Sequence, residues 1–163
     1  MKPALLIIDM QQGLLTSPHA QAKIPGACEV INYVADLFRK AGRPVVIVQD
    51  LESGGSEDSP DFAVIPEIRI DETDLRITKE WSNAFWKTNL EQILREQDTD
   101  FVIACGFAAE YCVTFSFNGA RERGFKAAIL QHGIIGEHPD AVAGVIRDRN
   151  IISYPVIEAV LKN

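Results

Sequence analysis

The sequence predicts an α/β fold in three layers: a mainly parallel, six-stranded, doubly wound sheet with helices on both faces. Three observations carry this prediction. The strongest apolar segments, Ala4–Ile8, Val45–Val48 and Phe101–Cys105, are continuous runs without polar alternation, the pattern of strands buried on both faces. Between them lie segments whose apolar residues recur at helical spacing. The two kinds alternate along the whole chain, as βαβ units do. With 163 residues, 47% of them hydrophobic and 24% charged, the chain suits one domain over residues 1–163 and has material for a proper core.

Ala4–Ile8 ends at Asp9. In parallel sheets ligands gather beyond the carboxyl ends of strands; a turn or capping aspartate is the alternative reading. Met10–Gly13 leads into a loop holding Pro18 and His19. Pro25-Gly26 opens a helix in which Val30, Ile31, Val34, Leu37 and Phe38 share a face and Gly42 is the stop; Cys28 packs in its first turns. Arg43-Pro44 turns the chain into Val45–Val48, which reaches Gln49-Asp50. Leu51–Asp61 is the most polar and Gly/Ser-rich piece, a solvated loop or a lid over a site. Leu75–Thr78 is a short strand that delivers Lys79 to its end, and Trp81, Phe85 and Trp86 follow as pocket walls or as core. Thr88–Glu96 is a helix with Leu90, Ile93 and Leu94 on its apolar side. Phe101–Cys105 is punctuated by Gly106, and a loop of small residues leads to Cys112, at the start of a helix that runs to Arg123 before Gly124. Lys126–Leu130 is a strand with His132 at its end, Pro139–Arg147 a helix, Ile151–Ser153 the last strand and Pro155–Leu161 the final helix.

Composition narrows the function. A net charge of −7 argues against nucleic acid or an anionic membrane as partner, and no apolar run approaches the ~20 residues of a membrane helix. Three cysteines without metal-ligand spacing suit a reducing compartment. The chain enters fold-like sequence directly at MKPALLIIDM, so a cytoplasmic protein is expected. Neither G-x-G-x-x-G after the first strand nor G-x-x-x-x-G-K-[ST] is present, which excludes both phosphate-binding fingerprints.

A parallel sheet would bring Asp9, Lys79 and Cys112 to one edge. A thiol at a helix N-terminus beside a lysine favours the thiolate, and an aspartate there can take a proton and return it to a leaving group. Asp50 and Glu52 form a carboxylate pair at another strand end, a weak hard-cation signal without a nearby histidine.

The segments LLIIDMQ, KEWSNAFWKTNL (Lys79–Leu90) and CGFAAEYCV, in this order, resemble the isochorismatase-like cysteine hydrolases, which include nicotinamidases, N-carbamoylsarcosine amidase and isochorismatases. The resemblance covers nearly the whole chain. It implies the isochorismatase-like hydrolase fold, Asp9, Lys79 and Cys112 as a catalytic triad, and a cis peptide between Ala108 and Ala109. It further implies an oxyanion hole made by the Ala109 and Cys112 N–H groups, a small-molecule substrate, no organic cofactor and a homo-oligomer, dimer or larger. Candidates for lining the pocket are Gln11, Leu15, Asp50, Trp81, Phe85, Trp86, Phe107 and His132. The chain departs from the family pattern at Ala109, where threonine is common, at Glu110, where aspartate is common, and at Asn83, often serine. Asp50-Leu51-Glu52 stands where nicotinamidases carry a zinc-binding Asp-x-His, and no histidine occurs between His19 and His132, so no metal is expected. Cys112 points to a carbonyl substrate with an amide, ureido or imide C–N bond. The alternatives are isochorismatase-type ether hydrolysis that leaves Cys112 idle, and a silent member that only binds a small ligand.

Overall fold

The computed structural model describes residues 1–51 and 56–162. The chain runs β1 (Pro3–Ile8), α1 (Pro18–Lys40), β2 (Val45–Asp50), a short 3-10 turn (Pro60–Phe62), β3 (Leu75–Lys79), α2 (Leu90–Glu96), β4 (Phe101–Phe107), a π turn (Ala109–Val113), α3 (Thr114–Glu122), β5 (Lys126–Ile135), α4 (Ala141–Asp148), β6 (Ile151–Ile152) and α5 (Tyr154–Leu161). The sheet order is β3-β2-β1-β4-β5-β6, and every strand pair is parallel.

β1, β2 and β4 are buried at every position, as their unbroken apolar runs require. Side chains alternate between the faces of a strand, and the two cores divide accordingly. Leu5 and Ile7 pack with Ile31, Val34 and Phe38 of α1 and Ile157 of α5. Leu6 and Ile8 pack with Leu90 and Leu94 of α2, Phe117 of α3 and Val145 of α4. The order of strands reverses between β1 and β4, so the crevice at this switch point lies between their carboxyl ends. Asp9 follows β1, and the turn carrying Cys112 follows β4.

α1 and β5 differ most in extent from the sequence reading. α1 starts at Pro18, not at Pro25. Ser17 caps it, its hydroxyl accepting from Ala20 N at 3.2 Å, and Pro18 stands where a missing N–H costs nothing. Pro25 lies within the helix, which is held through that point by a buried face including Ala20, Ala27, Cys28 and Ile31. β5 continues past Leu130 to Ile135. Ala104 pairs with Ile129 but Gly106 with Ile134, so the extra β5 residues bulge out of register. His132 sits in that bulge with φ 63°, rather than at a strand end.

Gly106 has φ 109°, and a Cβ there would lie 2.1 Å from the Ile8 carbonyl oxygen. Only glycine lets β4 approach β1 this closely at the switch point. Gly106→Ala is expected to lower the unfolding free energy by about 3 kcal/mol or more. A urea midpoint equal to that of the wild type would contradict this close approach.

Candidate active site

β1 ends in a turn that Asp9 makes with a left-handed backbone, φ 52°. Its N–H donates to Val48 O at 2.9 Å, and its carbonyl accepts from Gln11 N at 2.8 Å. Gln11 then ties the end of β1 to the end of β2. Its Nε2 donates to Asp50 O at 3.0 Å and Phe62 O at 3.1 Å, and its Oε1 accepts from Asp50 N at 2.6 Å. Lys79 pairs in register with Asp50 across β2 and β3, so the two side chains share a face of the sheet.

These ends converge on the Lys79 ammonium. Nζ lies 2.9 Å from Asp9 Oδ2 and 2.5 Å from Asp50 Oδ2, and 3.5 Å from Cys112 Sγ. Asp9 is 1% exposed, Lys79 2% and Asp50 7%. Charges this deep persist only when paired and hydrogen-bonded.

Cys112 stands in the π turn rather than in the first turn of an α-helix. The Val113 N–H reaches back five residues to Ala108 O at 3.2 Å, and Tyr111 N–H donates to the same oxygen at 3.0 Å. The cis peptide joins Phe107 and Ala108, not Ala108 and Ala109. β4 extends through Phe107 and the turn begins at Ala109, so this bond falls one residue earlier than expected.

The shared burial sets the protonation states. Burial pushes the Asp9 carboxyl up to about 6, against the charge and hydrogen bond of Lys79. Burial, with the charge of Asp9, pushes the Cys112 thiol up to about 12, only partly offset by Lys79. Burial works against the Lys79 ammonium too, but the charge of Asp9 and the hydrogen bonds to Asp50 and Asp9 hold it above its ordinary value. The resting group near neutral pH is therefore an ionised Asp9, a cationic Lys79 and a protonated Cys112. Burial first, and the neighbouring carboxylates after it, thus work against the thiolate that a helix end and Lys79 favour.

The structure sorts the other candidates. Gln11 is fully buried as a clamp, not a wall. Phe85 is core, 6.0 Å from Phe125 between ring centroids. Leu15 and Phe107 are buried in the core on the α1 side. Trp81 and Trp86 are 48% and 51% exposed. His132 lines a separate cavity of about 630 Å³ with His19 and Lys23 of α1, and Asp9, Lys79 and Cys112 are not among its walls. Glu52 lies outside the described residues. Asp9, Asp50 and Cys112 place their ligand atoms within 4.8 Å of one another, and the Lys79 ammonium stands against all three, supplying positive charge where a cation would sit. Asp50 is thus the second counter-charge of Lys79, which the sequence showed only as half of a weak cation pair. The segment after Lys79 is pinned by small polar groups whose roles have no sequence signature. Ser116 Oγ accepts from Ala84 N at 3.0 Å, Asn83 Oδ1 accepts from Phe85 N at 2.9 Å, and Thr88 Oγ1 donates to Ala84 O at 2.6 Å.

The Isochorismatase domain family matches residues 3–152. The chain belongs to this family. It is 26% identical over 164 residues to maleamate amidohydrolase of Pseudomonas putida, covering 85% of this chain and 75% of that protein. It is 31% identical over 150 residues to an uncharacterised isochorismatase family protein of Escherichia coli O157:H7, covering 78% and 77%. Among solved structures, N-carbamoylsarcosine amidase of Thermoplasma acidophilum superposes with a TM-score of 0.80 at 25% identity, covering 94% of this chain and 95% of that one. A zinc complex of pyrazinamidase from Pyrococcus horikoshii shares the fold, with a TM-score of 0.78 at 23% identity, covering 94% and 100%. The protein is an isochorismatase-family hydrolase. Among the described residues no helix is long and apolar enough to cross a membrane.

The protonation states generate a prediction that needs no substrate. Cys112 alkylation by iodoacetamide should depend on Asp9 as proton acceptor. Its rate should fall about tenfold per pH unit below about pH 6, where Asp9 becomes protonated. Asp9→Asn should remove this limb. Peptide mass spectrometry across a pH series reads it, and a limb near the ordinary thiol value of ~8.5 would show that Asp9 does not serve the thiol.

Proposed function

We propose that this hydrolase cleaves a small-molecule C–N bond, of amide, ureido or imide type, through a thioester on Cys112. The observation that carries the reading is the buried Lys79 ammonium, within 3.5 Å of Cys112 Sγ and bridging Asp9 and Asp50. Such a cluster has a clear use in acyl transfer.

As Sγ attacks the substrate carbonyl carbon, its proton passes to Asp9. The S–C bond forms and the carbonyl oxygen becomes an oxyanion, met by backbone N–H groups of the turn; because the cis bond lies at Phe107–Ala108, the donors proposed are those of Ala108 and Cys112 in place of Ala109 and Cys112. Collapse breaks the C–N bond, and Asp9 returns the proton to the departing nitrogen. Asp9 then takes a proton from water, whose oxygen attacks the thioester. The C–S bond breaks, the acid leaves, and the proton comes back to sulfur. A carboxyl near 6 is suited to both directions at neutral pH. Asp9 Oδ1 is buried and accepts no hydrogen bond among the described residues, a lone pair free to receive this proton. Lys79 keeps the charge of the cluster from rising as the proton moves. Two relatives support the C–N reading by name, an amidohydrolase and an amidase.

No metal or organic cofactor takes part in this scheme. Zinc of the kind that nicotinamidases hold lacks its ligands here, since position 52 is glutamate and Asp50 is engaged by Lys79. Activity should therefore survive exhaustive dialysis against EDTA. Loss of activity restored by zinc would return the nicotinamidase reading.

A panel of small amides, ureides and isochorismate, followed by ammonia or product detection, tests the reaction. Turnover of an amide or ureide is expected, with an acyl adduct on Cys112 visible by intact mass. Cys112→Ala should lower kcat by about 10³-fold or more, and Lys79→Met by about 10²-fold or more. Isochorismate turnover that survives Cys112→Ala would establish ether hydrolysis instead.

A further inference from the structure

Glu110 lies two residues before Cys112 in the π turn, and the proposed reaction does not use it. Its carboxylate reaches across to the loop between β5 and α4. Oε2 accepts from Glu137 N at 3.2 Å and Oε1 accepts from His138 N at 3.0 Å. Both oxygens of one side chain thus bind successive backbone amides, and ionised acceptors make the stronger bonds of this kind. The fit is close. A Cβ on Gly136 would stand 2.8 Å from Ala141 Cβ, 3.0 Å from His138 O and 3.4 Å from Glu110 Oε2.

The turn that Glu110 holds is one that a helix does not adopt by default. In an α-helix the Val113 N–H would bond Ala109 O. Here it bonds Ala108 O instead, while Ala109 O accepts the Thr114 hydroxyl at 2.7 Å. One hydroxyl braces the wide turn from within and Glu110 anchors it from outside. Rewinding to α geometry would rotate the residues ahead of α3 by up to ~100°, the advance of one α-helical residue. The Sγ–Lys79 contact does not survive such a rotation. Wide turns of this kind recur at functional sites.

We propose that Glu110 is a positioning residue for Cys112. By clamping the π turn to the backbone amides of Glu137 and His138, it keeps Sγ against Lys79 and Asp9 without touching the reacting atoms. This deepens the hydrolase reading and rests on it for its catalytic consequence. The clamp itself is tested without substrate.

The test compares full-length wild type, Glu110→Gln and Glu110→Asp. Glutamine keeps the side chain's length but turns an NH2 toward one of the two amides. Aspartate keeps the charge but is one methylene too short to span the gap to both. Iodoacetamide labelling of Cys112 is followed by peptide mass spectrometry across pH, with Cys28 and Cys105 as internal reporters of global opening, since both are buried. The expected result is a Cys112 rate lowered at least fivefold in both variants, a weakened acid limb, and Cys28 and Cys105 as protected as in the wild type. With a working amide substrate, kcat should fall by a similar factor while KM changes less than twofold. Wild-type rates and pH profile in both variants would overturn the proposal. So would slowing accompanied by exposure of Cys28 and Cys105, because that reports general loosening and not a local clamp. A wild type that turns over no amide counts against the proposed reaction alone, because labelling reads the clamp independently.

Discussion

A lysine ammonium with almost no access to water is the constraint around which the rest of this structure is arranged. Lys79 is 2% exposed, and an unpaired charge at that depth would cost more than a small domain's whole stability. Two carboxylates answer it, and each arrives from a different strand end. Asp50 comes from the neighbouring strand in register, while Asp9 needs a left-handed turn. Gln11 then locks the two ends together with its amide. Replacing such a buried cluster with apolar side chains often leaves a protein as stable or more so. Its presence therefore argues for use and not for stability.

The same low-polarity surroundings divide the labour among the three groups. Desolvation disfavours every charged form, yet it acts unequally because the cluster holds more acids than bases. Lys79 remains charged, since two carboxylates repay its burial. Asp9 keeps its charge only above about pH 6. Cys112 is left protonated. A nucleophile held as a thiol beside a carboxylate near neutrality differs from one held permanently as a thiolate. In the proposed reaction it would become charged only as it reacts, with Asp9 beside it to take the proton and return it to the leaving nitrogen.

What the sequence made legible follows from this physics. Ala4–Ile8, Val45–Val48 and Phe101–Cys105 were readable because strands covered on both faces need uninterrupted apolar side chains. Once those strands are taken as parallel, the residues after them fall at one edge, which places Asp9 and Lys79 together with Cys112. Other features depend on contacts that no local pattern encodes. Pro25-Gly26 looked like a helix start, although Ser17-Pro18 carried the better cap, because a buried helix face tolerates one missing N–H. Whether Gln11, Phe85 and Leu15 line a pocket is decided by depth, and depth is tertiary. The thiol's surroundings are hidden for the same reason: a helix end is visible in sequence, whereas desolvation and the two carboxylates that oppose a thiolate are not.

The depth of the cluster also locates where selectivity has to reside. Asp9, Lys79 and Asp50 have almost no surface to offer a ligand, so the surface this cluster leaves open is chiefly that of Cys112, which is only half-buried. Chemistry and recognition are thereby separated. The buried group is tied to strand ends and cannot change without disturbing the sheet. The exposed aromatics that flank it in sequence, Trp81 and Trp86 after Lys79 and Tyr111 before Cys112, are between 47% and 51% exposed and hold no part of that network. A scaffold built in this way can hold one buried cluster while its loops differ around it, which is why the cluster can be read from the chain while a ligand that would meet it cannot.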